Sequence, residues 1–274
     1  MIRTILRDIW KSRELFIQLT QRDLKLRYRQ AVMGFAWALF MPVLTISAGI
    51  VLRTAVSSGG GDMAAPSLGG IAIKSWAWAF FAGAMNFATV SLLTNASLVT
   101  KIYFPREVLP LASIVAQGVD SLIGFTTLML VGYWMGFHWS LQLLWVPLLI
   151  MLLLLLTTGL AFLFACANLF FRDVKYILQV LLTFGIFFTP VFMEPAMYKK
   201  YAPIMMLNPL SPILEGLRLT MVEHTSLLQT ITSPQGYLVW SPWLLVYAVV
   251  VGVGATLLGM VAFRKSAAYF AEYY

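Results

Sequence analysis

The side chains that could do chemistry in this chain are few, and they are scattered through apolar sequence. Asp120 lies near the middle of a long apolar stretch. A lone carboxylate at such a position in a membrane costs about 2.5–3.5 kcal/mol. One interpretation of Asp120 is a proton or substrate site. The alternative is a structural carboxylate that faces other helices and pairs with Gln117, Ser121 or a group on a neighbouring helix.

Catalytic and nucleotide-binding motifs are missing from the sequence. It has no G-x-x-x-x-G-K-[ST] loop to hold nucleotide phosphates, and no G-x-S-x-G, H-E-x-x-H or C-x-x-C. Cys166, His138 and His224 are far apart along the chain and predict no zinc site. We therefore expect no catalytic residue, no metal site and no cofactor bound by this chain. If it moves a solute uphill, the energy comes from another polypeptide or from an ion gradient.

The composition indicates that these groups are carried by membrane-embedded elements. Hydrophobic residues make up 60% of the 274 residues and charged residues 11%, whereas soluble domains carry about 25% charge. That little charge would not cover a soluble surface. The formal net charge of +8 would suggest nucleic-acid binding in a soluble protein, but here it indicates the excess of basic residues on the cytoplasmic side of membrane proteins.

Hydropathy predicts an all-α membrane protein with six transmembrane helices, because each crossing needs about 20 mostly apolar residues. The predicted spans cover residues 31–52, 75–99, 108–134, 142–170, 176–193 and 240–263. The chain divides into a basic cytoplasmic segment at 1–30 and a six-helix transmembrane domain at 31–274. Within the first segment, the spacing of Ile2, Ile5 and Ile9 predicts an amphipathic helix on the membrane surface.

The distribution of basic residues predicts the orientation. With a cytoplasmic N-terminus, 14 of the 19 lysines and arginines fall on the inner side and 5, Lys74 and Arg218 among them, on the outer side. This bias predicts that both termini are cytoplasmic. Tryptophans gather at the outer ends of the spans and indicate an aromatic belt. They are Trp76, Trp78, Trp134, Trp139, Trp145, Trp240 and Trp243.

Two outer segments do not read as regular spans. The stretch from Val56 to Gly70 is rich in glycine and serine and predicts a flexible loop. The stretch from Thr189 to Val239 is apolar in part but is interrupted by prolines, among them Pro190, Pro195, Pro203, Pro209 and Pro212. It predicts short re-entrant helices between spans five and six, packed against protein.

Aromatic residues concentrate in spans one and five. Aromatic side chains in spans commonly face lipid or the protein core, but aromatic rings also stack on sugar rings and could line a channel for sugars. These candidate channel residues are Phe35, Trp37, Phe40, Phe184, Phe187, Phe188 and Phe192.

Three stretches in order along the chain carry a family resemblance. They are RDLKLRYRQAVMGFAWALFMP at 22–42, NLFFRDVKYILQVLLTFGIFFTPVFM at 168–193 and LNPLSPILEGLR at 207–218. With the six-span layout, they resemble the membrane-spanning subunits of type-2 ABC exporters, most closely those for O-antigen, capsular polysaccharide or teichoic acid. The glycine-rich outer loop is not part of that pattern.

The resemblance implies a half-transporter in the cytoplasmic (inner) membrane. Two copies would form a channel, and two separate nucleotide-binding subunits, which bind ATP and Mg, would attach beneath them. The implied function is export of a polyprenyl-diphosphate-linked polysaccharide such as O-antigen, driven by ATP hydrolysis on the partner. The chain itself would then be a translocase subunit rather than an enzyme, with no nucleic-acid partner.

The resemblance also implies roles for particular residues. Coupling to the ATPase subunit is implied for Lys101, Phe104, Pro105, Arg106, Glu107, Arg172 and Asp173. Short helices that gate the outer mouth are implied around Pro190, Asn208, Pro209, Glu215 and Arg218. Contact with the lipid diphosphate, or equally with the head groups of the inner leaflet, is expected for Arg22, Lys25, Arg27, Tyr28 and Arg29.

Rival functions remain open on the sequence. The exported glycan could be teichoic acid or capsule, and a permease for a small drug or lipid is a further alternative. An ion-coupled secondary transporter built on Asp120 would need no ATPase. A membrane-embedded transferase is least favoured, because the sequence has no paired acids, nucleophile–base pair or metal cluster.

Overall fold

The computed structural model describes residues 7, 10, 12–28, 44, 47–51, 54–55, 67–101, 104–133, 138–233, 236–267 and 270. The predicted first span therefore lies outside the described residues except for 44 and 47–51. Phe35, Trp37, Phe40 and Arg29 and most of the glycine-rich loop also lie outside them. The surface helix predicted at Ile2–Trp10 is outside them too, apart from Arg7 and Trp10.

The described chain is mostly helical. Its helices are α1 (Arg13–Tyr28), α2 (Leu68–Thr94), α3 (Ala96–Lys101), α4 (Val108–Gly132), α5 (Val146–Phe170), α6 (Val174–Gly185), α7 (Ala202–Met206), α8 (Leu210–Met221) and α9 (Pro242–Ala267). Short 3₁₀ segments cover Leu141–Trp145, Ile186–Phe188 and Pro195–Tyr201. An antiparallel hairpin pairs β1 (Ile231–Thr232) with β2 (Leu238–Trp240).

Four of the described helices are long and apolar enough to cross a membrane. They are α2, α4, α5 with the 3₁₀ turn that precedes it, and α9. With 27 residues, α2 is about 40 Å long, which exceeds the roughly 30 Å hydrocarbon core. These four helices coincide with the predicted spans two, three, four and six, and their length and composition are those of a multi-pass membrane protein.

The start of the second span differs from the prediction. Helix α2 begins at Leu68 rather than Ser75, so assigning Gly69 and Gly70 to a flexible loop was wrong. Both glycines are buried in the first turn of α2. Lys74, which the charge count assigned to the outer loop, is fully buried in the same helix. Lys74 was predicted to lie just before the span because a charge in apolar sequence commonly marks a span end. In the structure, Lys74 lies inside the protein because charged partners surround it.

The fifth apolar segment is shorter than predicted. Helix α6 continues as a 3₁₀ turn to Phe188, which gives 15 residues and a length of about 22 Å. Thr189 has extended backbone and Pro190 follows it, and proline cannot donate the hydrogen bond that a continuing helix requires. The apolar segment to Met193 is therefore not one regular helix.

The proline-rich region contains the short helices α7 and α8, as its pattern predicts, and also a hairpin that the all-α prediction missed. Every residue of α8 is buried. At the end of the hairpin, Trp240 is fully buried, and its indole N–H donates to the Leu227 carbonyl at 2.9 Å. The aromatic-belt interpretation is therefore wrong for Trp240, whereas Trp139 and Trp243 are highly exposed.

Helices α5 and α9 approach each other closely through glycine. A Cβ atom on Gly159 would lie 2.3 Å from the Ala255 carbonyl carbon, and one on Gly259 would lie 2.3 Å from the Gly159 oxygen. Between these contacts, the Thr256 hydroxyl donates to the Leu155 carbonyl at 2.7 Å. Small residues and a hydroxyl bond are the usual means of helix association in lipid. Helix α2 packs against α4, α5 and α8 and so lies at the centre of the fold.

Candidate functional site

An ion pair joins α1 to α4 and accounts for the carboxylate in the third apolar span. The guanidinium of Arg27 donates to Asp120 and, at 2.7 Å, to the Gln117 side-chain oxygen. The same guanidinium lies 3.8 Å from the centre of the Phe87 ring on α2. The side chains of Arg27 and Asp120 are 13% and 15% exposed. The alternative in which Asp120 pairs with another helix therefore matches the structure.

A second polar contact attaches α1 to α4 one turn away. The Ser113 hydroxyl donates to Asp23 at 3.1 Å, and Asp23 also accepts from Arg22 at 2.8 Å. Lys25 is exposed on the same helix. Of the residues predicted to meet a diphosphate or head group, Arg22 and Lys25 thus have the more accessible charges. Nothing is described of the Tyr28 side chain.

The short connection between α3 and α4 is tied to the end of α9. Glu107 accepts from Arg264 at 3.1 Å, and Arg106 donates to the Ala267 carbonyl while lying 5.5 Å from the Phe270 ring centre. Buried apolar residues of α2, α4, α5 and α9 pack beneath these contacts. The connection is therefore fixed to the helix bundle.

The other residues predicted for coupling differ in accessibility. Lys101, Arg172 and Asp173 are exposed, whereas Phe104 and Pro105 are partly buried. Asn168 holds the start of α6 in place, because its amide donates to the Thr89 carbonyl at 3.1 Å and accepts from the Lys175 backbone N–H at 3.1 Å. The loop carrying Arg172 and Asp173 thus adjoins an anchored helix start.

A buried network of charges lies where α8 meets the first turns of α2. Arg218 is its centre: its guanidinium donates to Glu215 and Glu223 and lies 3.4 Å from Glu194. Glu215 and Arg218 are three residues apart, so both point to one face of α8. Lys74 adds a second cation, with its Nζ 3.9 Å from Glu215. Lys74 and Glu215 are completely buried.

Local sequence explains why the network can form at this place. A Cβ atom on Gly70 would lie 2.8 Å from Cδ of Arg218, so the glycine leaves room for the arginine stem. Ser67 donates to Glu194 from its backbone N–H at 2.9 Å and from its hydroxyl at 3.0 Å. Although burial would raise the pKa of the Glu194 carboxyl, Arg218 and the bonds from Ser67 hold it below its ordinary value.

Some polar atoms of the network make hydrogen bonds and others do not. Among the described residues, neither Nζ of Lys74 nor Oε2 of Glu215 has a hydrogen-bond partner. Two cations, Lys74 and Arg218, face the carboxylates of Glu194, Glu215 and Glu223. A cluster of this kind is stable only while its members stay together, because a separated buried charge is expensive.

The predicted gate residues lie next to this network. Glu215 and Arg218 belong to it, and Asn208 prepares the start of α8, because its side-chain oxygen accepts from the Leu210 N–H at 3.1 Å. Pro209 precedes the helix, and Pro190 is buried after the turn that follows α6. The missed members are Lys74, Glu194 and Glu223. A lysine within an apolar helix and a glutamate beside Pro195 were the available signals.

The described aromatic candidates gather at the end of α6. Phe184, Phe187 and Phe188 are 59%, 65% and 73% exposed, and Phe192 is partly buried with its ring 6.3 Å from that of Phe187. Only Leu178 and Leu182 of α6 are buried. One face of α6 is therefore a broad apolar and aromatic surface in the single chain.

The two histidines are far apart in sequence but lie close together in the structure. The rings of His138 and His224 lie 6.1 Å apart, centre to centre, and His224 approaches the Ser140 hydroxyl at 3.3 Å. Within the described ranges, no group of three His, Cys, Asp or Glu side chains is placed to hold a metal ion.

Comparison with known proteins places these features in context. The sequence profile of the ABC-2 type transporter family matches residues 14–222. An O-antigen export system permease protein, RfbA, of Myxococcus xanthus is 29% identical over 232 residues, which cover 82% of this chain and 86% of the relative. Two proteins of the same name from Klebsiella pneumoniae are 26% and 25% identical over 209 residues, each covering 73% of this chain and 77% of the relative.

Proposed function

The chain belongs to the ABC-2 type transporter family, and we propose that it is the membrane-spanning subunit of an ATP-driven exporter of lipid-linked polysaccharide of the O-antigen type. The observation that carries the proposal is the family match over residues 14–222. The relatives named as O-antigen export permeases align over most of their own length as well as of this chain. The four long apolar helices support a multi-pass permease.

ATP hydrolysis is assigned to a separate partner subunit. The sequence has no phosphate-binding loop, which agrees with a permease that depends on another chain for energy. In the proposed orientation, both termini, Arg172 and the connection before α4 face the cytoplasm of the inner membrane. Lys101, Arg172 and Asp173 are exposed there and offer charges to a partner.

The contacts of Arg106 and Glu107 suggest how movement of the partner would reach the membrane. Both residues hold the connection before α4 to the end of α9. In turn, α9 packs against α5 through glycine contacts that allow little sliding. A push on the connection would therefore move α4, α9 and α5 together rather than bend a loop.

The substrate path is proposed to form between two copies of the chain. The exposed face of α6 ends in Phe184, Phe187 and Phe188, and aromatic faces suit sugar rings. Phe35, Trp37 and Phe40 of the first predicted span would supply the opposing surface. Helix α8 and the segment around Pro190 would close the outer mouth as re-entrant helices.

The geometry weighs against an ion-coupled transporter built on Asp120. Asp120 already has a structural partner, because its carboxylate and the guanidinium of Arg27 join α4 to α1. The choice among O-antigen, teichoic acid, capsule and a small lipid is the narrower question. The relatives' names favour O-antigen.

The test is reconstitution with the ATPase subunit that the same genome encodes nearest to this chain. We expect the two proteins to co-purify and the complex to hydrolyse ATP faster when lipid-linked O-antigen is present. Charge reversal at the exposed pair Lys101 and Arg172 should reduce co-purification. Lys200→Glu, an exposed lysine in the predicted outer region, is the matched control and should retain it.

Two results would reject the proposal. The first is failure of the chain to form a complex with any ATPase subunit while remaining folded. The second is transport of lipid-linked glycan by the chain alone, in vesicles without ATP. ATPase stimulation by teichoic acid or capsule precursors, but not by O-antigen precursors, would keep the exporter and change its substrate.

A further inference from the structure

A cleft of about 220 Å³ opens between α2 and α6, apart from the charge network and from the aromatic end of α6. Its polar lining consists of Asn86, Thr89, Lys175, Tyr176 and Gln179. Asn86 and Thr89 come from the second half of α2, and the other three residues from the first two turns of α6. No acidic residue lines the cleft in the described part of the chain.

The cleft is held open by a buried amide. Asn168 is fully buried, donates to the Thr89 carbonyl and accepts from the Lys175 backbone N–H, so it spaces α6 from α2 at this level. The Lys175 ammonium lies 4.7 Å from the centre of the Tyr176 ring, at the exposed rim. The site therefore combines a floor held by Asn168 with an exposed cation at its rim.

One group in the cleft lacks a partner. Thr89 is 1% exposed, and its hydroxyl makes no hydrogen bond to any described residue. A helical threonine ordinarily satisfies its hydroxyl on the carbonyl four residues earlier, as Thr157 and Thr220 do here. An unpaired buried hydroxyl costs stability unless a ligand or water completes it.

The depth of the cleft selects the kind of ligand. Thr89 lies five residues before the end of α2 at Thr94, which is about 7.5 Å along the helix. Lys175 is the second residue of α6. In the proposed orientation, that depth is the inner head-group region, which is roughly 5–7 Å thick on each side of the hydrocarbon core. Lysine, hydroxyl and amide groups without a carboxylate suit an anion there.

We propose that this cleft binds the phosphate-bearing head group of a lipid in the inner leaflet. The inference rests on the orientation given under the proposed function. Lys175 supplies the charge, and the Thr89 hydroxyl and the Asn86 and Gln179 amides supply hydrogen bonds to phosphate oxygens. Two lipids share this chemistry: a polyprenyl diphosphate carrier and an anionic phospholipid.

The test is native mass spectrometry of the full-length protein in mixed micelles with phosphatidylcholine as background. The probes are a polyprenyl diphosphate, phosphatidylglycerol and inorganic diphosphate, each titrated separately. Lys175→Gln should weaken binding of the lipid that the wild-type protein binds more tightly by about fivefold, which is the contribution expected of one lysine beside an anionic head group. Lys200→Gln is the matched control, because Lys200 also lies over its neighbouring tyrosine, 5.1 Å from the Tyr201 ring centre.

Thr89→Val separates a ligand role from a structural one. The valine keeps the shape and removes an unpartnered hydroxyl, so we expect the unfolding temperature of the lipid-free protein to stay level or rise. Binding of the favoured lipid should nevertheless weaken about threefold, as for one lost hydrogen bond. A merely structural threonine would show the reverse, a lower unfolding temperature with unchanged binding.

The probes identify the source of the phosphate. If Lys175→Gln and Thr89→Val weaken binding of the polyprenyl diphosphate, the cleft is a site for the lipid carrier. If they weaken binding of phosphatidylglycerol instead, it is a phospholipid site. Equal binding by wild type, Lys175→Gln and Thr89→Val would overturn the proposal, as would inorganic diphosphate binding as tightly as either lipid. The lipid-binding measurement requires neither an ATPase subunit nor export. If the protein binds the lipid as predicted but does not export glycan with an ATPase subunit, the proposed function is wrong and the lipid site stands.

Discussion

Replacing Arg218 by methionine is the sharpest test of the charge network between α2 and α8. The arginine side chain is 4% exposed and lies within ion-pair distance of Glu194, Glu215 and Glu223. Methionine replaces the unbranched apolar stem of arginine but lacks the charged guanidinium. The substitution therefore leaves three carboxylates with Lys74 as their remaining described cation, 3.9 Å from Glu215.

The expected loss of stability follows from the burial of the partners. Removing one member of a buried ion pair costs about 3–5 kcal/mol, because the other charge is left uncompensated. Glu215 is fully buried and cannot turn to water, whereas Glu223 is 40% exposed and can. We therefore assign most of the loss to Glu215. At about 2–4 °C per kcal/mol, the unfolding temperature should fall by about 6–20 °C.

A double variant distinguishes charge from packing. Arg218→Met with Glu215→Leu removes the stranded charge with its partner, so we expect it to regain at least half of the lost stability. Arg218→Lys keeps a charge but not the planar fork that serves several carboxylates, and should lie between wild type and methionine. Arg172→Met, at an exposed arginine, is the control and should change stability little. Unfolding is followed by size-exclusion fluorescence after heating the purified protein in detergent.

Two results would refute this reasoning. One is an unfolding temperature for Arg218→Met within about 2 °C of wild type, which would mean that water already compensates the network. The other is a double variant no more stable than the single one, which would place the loss in packing around the arginine stem. Equal loss in the Arg172→Met control would indicate a general effect of removing positive charge.

Three further predictions follow from the described contacts. Asp120→Asn should lower stability by about 1–3 kcal/mol, because Arg27 loses its charged partner, yet ATP-driven export by the surviving protein should continue; abolished export at normal protein level would favour the ion-coupled alternative. Gly159→Ala should destabilise by at least about 1–3 kcal/mol in heat unfolding, since its Cβ would meet α9 backbone, whereas Gly254→Ala, with nothing within 4 Å, should not. The folded-state pKa of Glu194 lies below its ordinary value of 4.5. The ionised carboxylate therefore contributes fully to stability above about pH 4.5, and this contribution is lost as the pH falls through the lower folded-state pKa. Glu194→Gln should flatten the acid side of a plot of unfolding temperature against pH, and an unchanged acid side would contradict this prediction.

The sequence alone was sufficient to predict the long apolar helices that the structure describes. A run of about 20 apolar residues has few alternatives to a spanning helix, and α4 begins at Val108 as predicted. The structural role of Asp120 could also be predicted in kind, because a lone acid in a membrane needs a partner. That the partner is Arg27, 93 residues away, could not be predicted, since no local pattern encodes a contact between two helices.

The same limit explains the wrong predictions for Lys74 and Trp240. Lys74 was assigned to a loop because hydropathy treats each charge as exposed. Its burial depends on Glu215, which is 141 positions further along the chain. Trp240 was assigned to a belt because aromatic residues at span ends commonly face head groups, but it is the last residue of the hairpin and is fully buried. Such assignments require tertiary contacts.

The distribution of buried contacts indicates which outer element can move. Every residue of α8 is buried, and its charges are shared with α2 and with Glu194. Glu215 would keep Arg218 of its own helix, but parting α8 from α2 would strand the buried charge of Lys74, so these two helices should move as one body. Helix α6, by contrast, buries only Leu178 and Leu182 and ends where Pro190 breaks the chain. If the outer mouth opens during export, we expect the displaced element to be α6 with its exposed aromatic end. In the proposed exporter, the α2–α8 network would be the fixed wall of the gate and α6 its moving part.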